Sequence, residues 1–125
     1  MSTIERYSSW NIDELIVLDI SKGEDFHDLR RNDIQQNYFG QTIYDVLKEI
    51  SSVCFMPLTF GGRIQNLRDI EQRLNAGADK VTINTIAFKD KNFVYEAVKT
   101  FGSQCIVASI DVKQNKNNWQ VFING

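Results

Sequence analysis

The stretch "PLTFGGRIQNLRDIEQRLNAGADKVTIN", Pro57 to Asn84, changes the period of its apolar residues twice, and that change decides the fold class. Its opening belongs to "VCFMPLTF", a short and nearly continuous apolar run, the pattern of a strand buried on both faces of a parallel sheet. After two glycines and an arginine, "NLRDIEQRLNAGA" spaces Leu67, Ile70 and Leu74 three or four residues apart. That is the stripe of an amphipathic helix, with Gly77 positioned as its C-cap. "DKVTIN" then returns to the strand pattern. The unit reads strand, helix, strand.

The same rhythm continues on both sides. "ELIVLDI" upstream and "CIVASIDV" downstream are further strand-like runs. "DKNFVYEAVKTFG" repeats the helix design, with Asp90 as N-cap, Phe93, Val94, Val98 and Phe101 on a common side, and Gly102 closing it. "FGQTIYDVLKEI" supplies a third helix. Strands and helices alternating in this way predict right-handed crossovers and an α/β fold, and the pattern alone does not choose between a barrel and an open sheet. Two segments break the rhythm. Residues 21–38, "SKGEDFHDLRRNDIQQNY", form a polar, charged insertion much longer than a usual βα loop. At the end, "DVKQNKNNWQVFING" reads as two short strands around a polar turn, a hairpin appended where a βα loop is expected.

A chain of 125 residues with 42% hydrophobic and 24% charged residues has the composition of one globular domain. Its net charge of −2 and scattered Lys and Arg lack the basic stripe that nucleic-acid backbones require, so no nucleic-acid partner is expected. No apolar run approaches the roughly 18 residues of a membrane span, and the start "MSTIERYSSWNIDE" lacks the apolar centre of a signal peptide. No membrane association is expected, and the expected location is cytoplasmic. Cys54 and Cys105 sit inside apolar runs without metal-like spacing, so they read as reduced core thiols. His27, in the polar insertion, reads as a solvated loop residue. Neither a metal nor an organic cofactor is expected.

In parallel α/β folds ligands collect at the carboxyl ends of the strands. Those ends carry Asp19 with Ser21, Thr59 with Gly61 and Gly62, Asn84 with Thr85, and Asp111 with Lys113. Glycines let backbone approach an anion, and N–H groups opening a helix carry partial positive charge, so "TFGGR" with "INT" suits a phosphate. The plainer reading is that Gly61 and Gly62 only turn the chain from strand into helix. Asp111 ends an otherwise apolar strand, where partial desolvation would suit general acid or base work; it would equally cap a turn. Asp19 carries the same two readings.

Taken together, "IDELIVLDI", "FGGRI", "GADKVTINT", "FGSQCIVASIDVK" and "WQVFING" resemble the cyclase subunit of imidazole glycerol phosphate synthase, over roughly Trp10 to Gly125. The related isomerase usually has Gly where this chain has Asn84, which favours the cyclase. The resemblance implies an α/β fold of the TIM type, an eight-stranded (βα) barrel. This chain would cover about its second to fifth strands, as one incomplete domain over residues 1–125 with a hairpin after the last barrel strand. It implies a glutaminase partner in a heterodimer, ammonia passed through the barrel, and a bis-phosphorylated ribulosyl formimino substrate. The products would be imidazole glycerol phosphate and an aminoimidazole carboxamide ribotide.

Position by position, the resemblance makes Asp111 a catalytic acid or base in ring closure. Gly62, Arg63, Asn84 and Thr85 become one of two phosphate regions, with Asp19 beside the substrate. Glu14 and Lys80 stand at strand starts, around the ammonia entrance where the glutaminase docks. The family's other catalytic aspartate, in a segment resembling "LDVKDG", has no counterpart before Trp10. Arg63 replaces a glycine of the phosphate loop, where a side chain disfavours positive φ but adds a cation. Two alternatives stand beside the cyclase: an ammonia-supplying paralogue for amidine formation on a surface nucleotide sugar, and a non-catalytic truncated remnant that binds a partner. Open barrel edges predict self-association.

Overall fold

The computed structural model describes residues 3–20 and 42–123; the polar insertion at 21–38 and His27 lie outside the described residues. A helix that the sequence reading did not anticipate, α1 (Thr3–Ser9), comes first. It is followed by β1 (Leu15–Leu18), α2 (Ile43–Val53), β2 (Leu58–Gly61), α3 (Leu67–Asn75) and β3 (Lys80–Ile83). Then come α4 (Thr85–Lys89), α5 (Lys91–Phe101), β4 (Ile106–Ala108), and the hairpin strands β5 (Asp111–Asn115) and β6 (Asn118–Phe122). Strands β1 to β4 form one parallel sheet in sequence order, and β5–β6 form a separate antiparallel ribbon. Four parallel strands with intervening helices make a partial TIM-type barrel, half of the eight-stranded complement.

Register sorts the side chains into two faces. Leu18, Gly61, Thr82 and Val107 lie in one row across the sheet, and Val17, Phe60, Val81 and Ile106 in the next, so the two rows point to opposite sides. The Phe60 row faces the helices. There Leu47, Leu58 and Phe60 form one buried cluster under α2, while Ile70, Val81, Ile83, Phe93 and Ala97 form another under α3 and α5. The opposite face corresponds to the interior of a barrel. β2 is buried along its length, but β1 alternates, with Ile16 61% and Leu18 54% exposed. The continuous apolar run had predicted burial on both sides of β1. Among the described residues no element stands opposite Ile16 and Leu18 to provide it.

Local chemistry fixes the helix ends. Asn66 accepts from the Asp69 N–H at 3.0 Å, while the Asp69 carboxylate accepts from the Asn66 and Gln65 N–H groups at 3.2 and 2.9 Å, a reciprocal cap for α3. At its other end Gly77 takes φ +114° and donates to the Leu74 carbonyl, as a C-terminal glycine does. Asp90 caps α5 through the Asn92 and Phe93 N–H groups, and Gly102 closes it at φ +91°. Thr42 and Asp45 form the matching box on α2, and the hydrogen bonds from the Thr42 N–H and hydroxyl hold the Asp45 carboxyl below its ordinary pKa. The two cysteines are free and half-buried, with the Cys54 thiol donating to the Met56 carbonyl at 3.3 Å. No helix among the described residues is long and apolar enough to cross a membrane.

Candidate functional site

Because β1 to β4 are parallel, their carboxyl ends open on one side of the sheet. A cavity of about 620 Å³ lies there, and its lining includes Asp19, Gly62, Arg63, Asn84, Thr85 and Asp111. Six of the residues expected at this end of the sheet therefore share one space, whereas Thr59 and Gly61 do not line it and Ser21 lies outside the described residues. Lys113, paired with Asp111 in the sequence reading, instead places its ammonium over the Phe122 ring at 5.8 Å on the hairpin.

The Gly-Gly pair does more than turn strand into helix, because α3 begins only at Leu67. Gly62 has φ +93°, and a Cβ there would run into the Asp19 carbonyl oxygen and lie 2.8 Å from the Asp19 nitrogen. The approach is imposed by the sheet, whose last rung is the Asp19 N–H donating to the Gly61 carbonyl at 2.8 Å. Arg63 also takes a positive φ, +54°, at a backbone cost of about 1–2 kcal/mol for a residue with a Cβ. The turn is left-handed at two successive positions, so its peptide planes differ in orientation from those of a strand or helix.

Two sequence expectations are modified by this geometry. The helix opening at Thr85 is a five-residue turn, so a phosphate beside Asn84 and Thr85 would meet local N–H groups rather than a long helix dipole. The N-terminus of α3 is already occupied by the Asp69 carboxylate, whereas the Gly62–Arg63 turn lines the cavity. Asp111, expected to be partly desolvated, is exposed. The barrel strand ends at Ala108, and Asp111 opens the hairpin, clear of the apolar run. Its Oδ2 accepts from the Asn84 Nδ2 at 2.8 Å, so the carboxylate is fixed in direction while remaining open to solvent and ligand.

At the opposite end, Glu14 and Lys80 form an ion pair of 3.6 Å across the inner face of β2. Both are substantially solvated, so the pair contributes at most about 1 kcal/mol to stability. Sequence reasoning missed Arg73, which is fully buried and donates to the Gly62 carbonyl. The signal was its spacing, three residues after Ile70 on the apolar side of α3, and its charge concealed it.

Over residues 1–125 the sequence matches the family described as "Histidine biosynthesis protein". Imidazole glycerol phosphate synthase subunit HisF of Campylobacter concisus is 45% identical over 122 residues, which is 97% of this chain and 43% of the relative. A putative imidazole glycerol phosphate synthase subunit of Campylobacter jejuni is 40% identical over 124 residues, 99% of this chain and 44% of the relative. Subunit HisF of Dictyoglomus thermophilum is 39% identical over 121 residues, 96% and 43%. The chain spans less than half the length of these relatives.

Proposed function

The chain belongs to the histidine biosynthesis protein family, and from that premise we propose that it forms part of a cyclase-type barrel, contributing a catalytic carboxylate and one phosphate site. The observation that carries the proposal is a juxtaposition. An oriented carboxylate, Asp111 held by Asn84 at 2.8 Å, and a left-handed Gly62–Arg63 turn line the same cavity. In the proposed reaction one phosphate of the bis-phosphorylated formimino substrate rests against Gly62, Arg63 and Thr85. The reacting carbons then lie toward Asp111. Adding ammonia and closing the ring both require protons to leave nitrogen and reach a departing group, and a solvent-accessible carboxylate of fixed direction serves as donor and acceptor. Asn84 positions that carboxylate.

Ammonia would enter from the Glu14–Lys80 end, where a glutaminase subunit would dock. The test is turnover of the formimino substrate by this chain, complemented by the segments of the Campylobacter concisus relative that it does not cover. Activity with ammonium salt is expected, and its absence in a folded complex counts against the cyclase assignment. In the same assay Lys80→Met is expected to lower glutamine-driven turnover about tenfold or more while sparing turnover with ammonium. Equal loss with both nitrogen sources would remove Lys80 from the ammonia entrance.

The exposed inner face also bears on how the chain behaves alone. Among the described residues, Ile16, Leu18 and Val107 leave apolar area uncovered between two strand edges, β1 and β4, that pair with no further strand, a combination that drives pairing between copies. The 125-residue chain by itself is expected to sediment as a dimer or larger species at micromolar concentration. A compact monomer with a cooperative unfolding transition would contradict this.

A further inference from the structure

We infer that Arg73 is a positioning residue of the phosphate site, acting through the carbonyl of Gly62; the inference rests on the phosphate reading above and gives that site its preference for a doubly charged phosphate. Arg73 is 0% exposed on the inner side of α3. Its guanidinium lies 5.4 Å from the Phe60 ring centroid and 5.8 Å from that of Tyr44. Nη1 donates to the Asp69 carbonyl at 2.9 Å and Nη2 to the Gly62 carbonyl at 2.9 Å. Nε has no hydrogen-bond partner, and the ion pair between Glu14 and Lys80 lies away from Arg73. The cation is thus buried against two rings and two carbonyls with no carboxylate of the described residues to neutralise it.

Stability alone is a poor reason for such an arrangement. An ion taken out of water costs several kcal/mol even after relaxation, and an unbranched apolar side chain would fill the space between the two rings without that cost. What the guanidinium does that methionine cannot is pull on the Gly62 carbonyl. None of the described peptide bonds is cis, so the Arg63 N–H points away from the Gly62 C=O. With the carbonyl drawn toward Arg73 in the helix layer, that N–H is turned to the other side, where Gly62 and Arg63 line the cavity. The orientation of that peptide is set by ψ of Gly62 and φ of Arg63, and Arg63 holds a φ of +54° that a residue with a Cβ disfavours, so without the anchor the Gly62–Arg63 peptide has a second orientation in which the carbonyl, not the N–H, would face an anion. Arg73 selects the receptive one. Its charge, weakly screened inside the protein, favours a dianionic phosphate over a monoanion.

The experiment is a titration of the 125-residue chain with inorganic phosphate at about pH 8, where the dianion predominates. It is followed through the Arg63 backbone amide and the Arg73 guanidinium nitrogens by NMR. In the wild type both signals are expected to move along one isotherm. Arg73→Met is expected to keep the fold by circular dichroism and to weaken phosphate binding by about tenfold. Arg73→Lys, which keeps the charge but not the fork, should recover part of the loss. A structural role would change the melting temperature and leave the phosphate Kd of the folded variant unaltered, and that result overturns the inference. If Arg73→Met does not fold, the wild-type guanidinium decides: signals that stay fixed while the Arg63 amide titrates also overturn it. Absence of any response in the wild type overturns the phosphate site itself and this inference with it, whereas normal binding by a folded Arg73→Met overturns only the role of Arg73.

Discussion

Asp111→Asn is expected to lower turnover of the formimino substrate by about two to four orders of magnitude while leaving substrate affinity close to that of the wild type. The geometry makes this a clean substitution. Asn84 donates to Oδ2 of Asp111 at 2.8 Å, and an asparagine oxygen at the same place accepts the same hydrogen bond, so shape and direction survive. The capacity to take and return a proton is lost. Because Asp111 is exposed at the start of β5, removing its charge leaves no buried group unsatisfied and is expected to change stability little. The measurement is kcat and KM for the chain complemented by the uncovered segments of its relative, with ammonium as nitrogen donor. A raised KM with unchanged kcat would make Asp111 a binding residue and move the proton chemistry elsewhere. Asn84→Ala serves as the companion variant: it frees the carboxylate to rotate and should cost less than the loss of the carboxylate itself.

Parts of this site were readable in the sequence because they depend on local pattern. The period of Leu67, Ile70 and Leu74 gave α3, and glycines at 77 and 102 gave its end and that of α5. Parallel strands then forced Asp19, Gly62, Asn84 and Asp111 to a common end, since every strand of such a sheet presents its carboxyl terminus on the same side. What escaped the reading depends on contacts between elements. The burial of Arg73 is set by Phe60, Tyr44 and the Gly62 carbonyl, which lie on three other parts of the fold, and an arginine in a helix is by default placed in solvent. The exposure of Asp111 depends on where the barrel strand stops: the apolar run "CIVASIDV" looks continuous, but regular pairing with β3 ends at Ala108. The positive φ at Arg63 contradicts its residue type and follows from its neighbours, since Gly62 must clear the backbone of Asp19 and the chain must still reach the Asn66 cap. Site chemistry here is built from second partners, and those are what a one-dimensional pattern does not carry.

Gly62→Ala is expected to destabilise the chain by on the order of 3 kcal/mol, a large share of the stability of any single domain. Two costs combine. At φ +93° an alanine is strained by about 1–2 kcal/mol, and its Cβ meets backbone rather than a side chain that can rotate away. The obstructing atoms are the carbonyl oxygen, nitrogen and carbonyl carbon of Asp19. They cannot retreat without breaking the Asp19 N–H bond to Gly61 that closes the β1–β2 ladder. Gly61 presents a different obstacle, since a Cβ there would first meet the Thr82 methyl, part of a side chain. Gly62→Asn separates the two costs at position 62, because asparagine tolerates a left-handed backbone far better than alanine but carries the same Cβ. If the contact with Asp19 dominates, Asn and Ala lower the denaturation midpoint alike. If Asn recovers most of the loss, the conformation is the main term and the close approach of β1 is softer than the structure indicates. In the first case the damage reaches the cavity directly, because relieving the clash pushes Asp19 away from the turn and separates two walls of the proposed phosphate site.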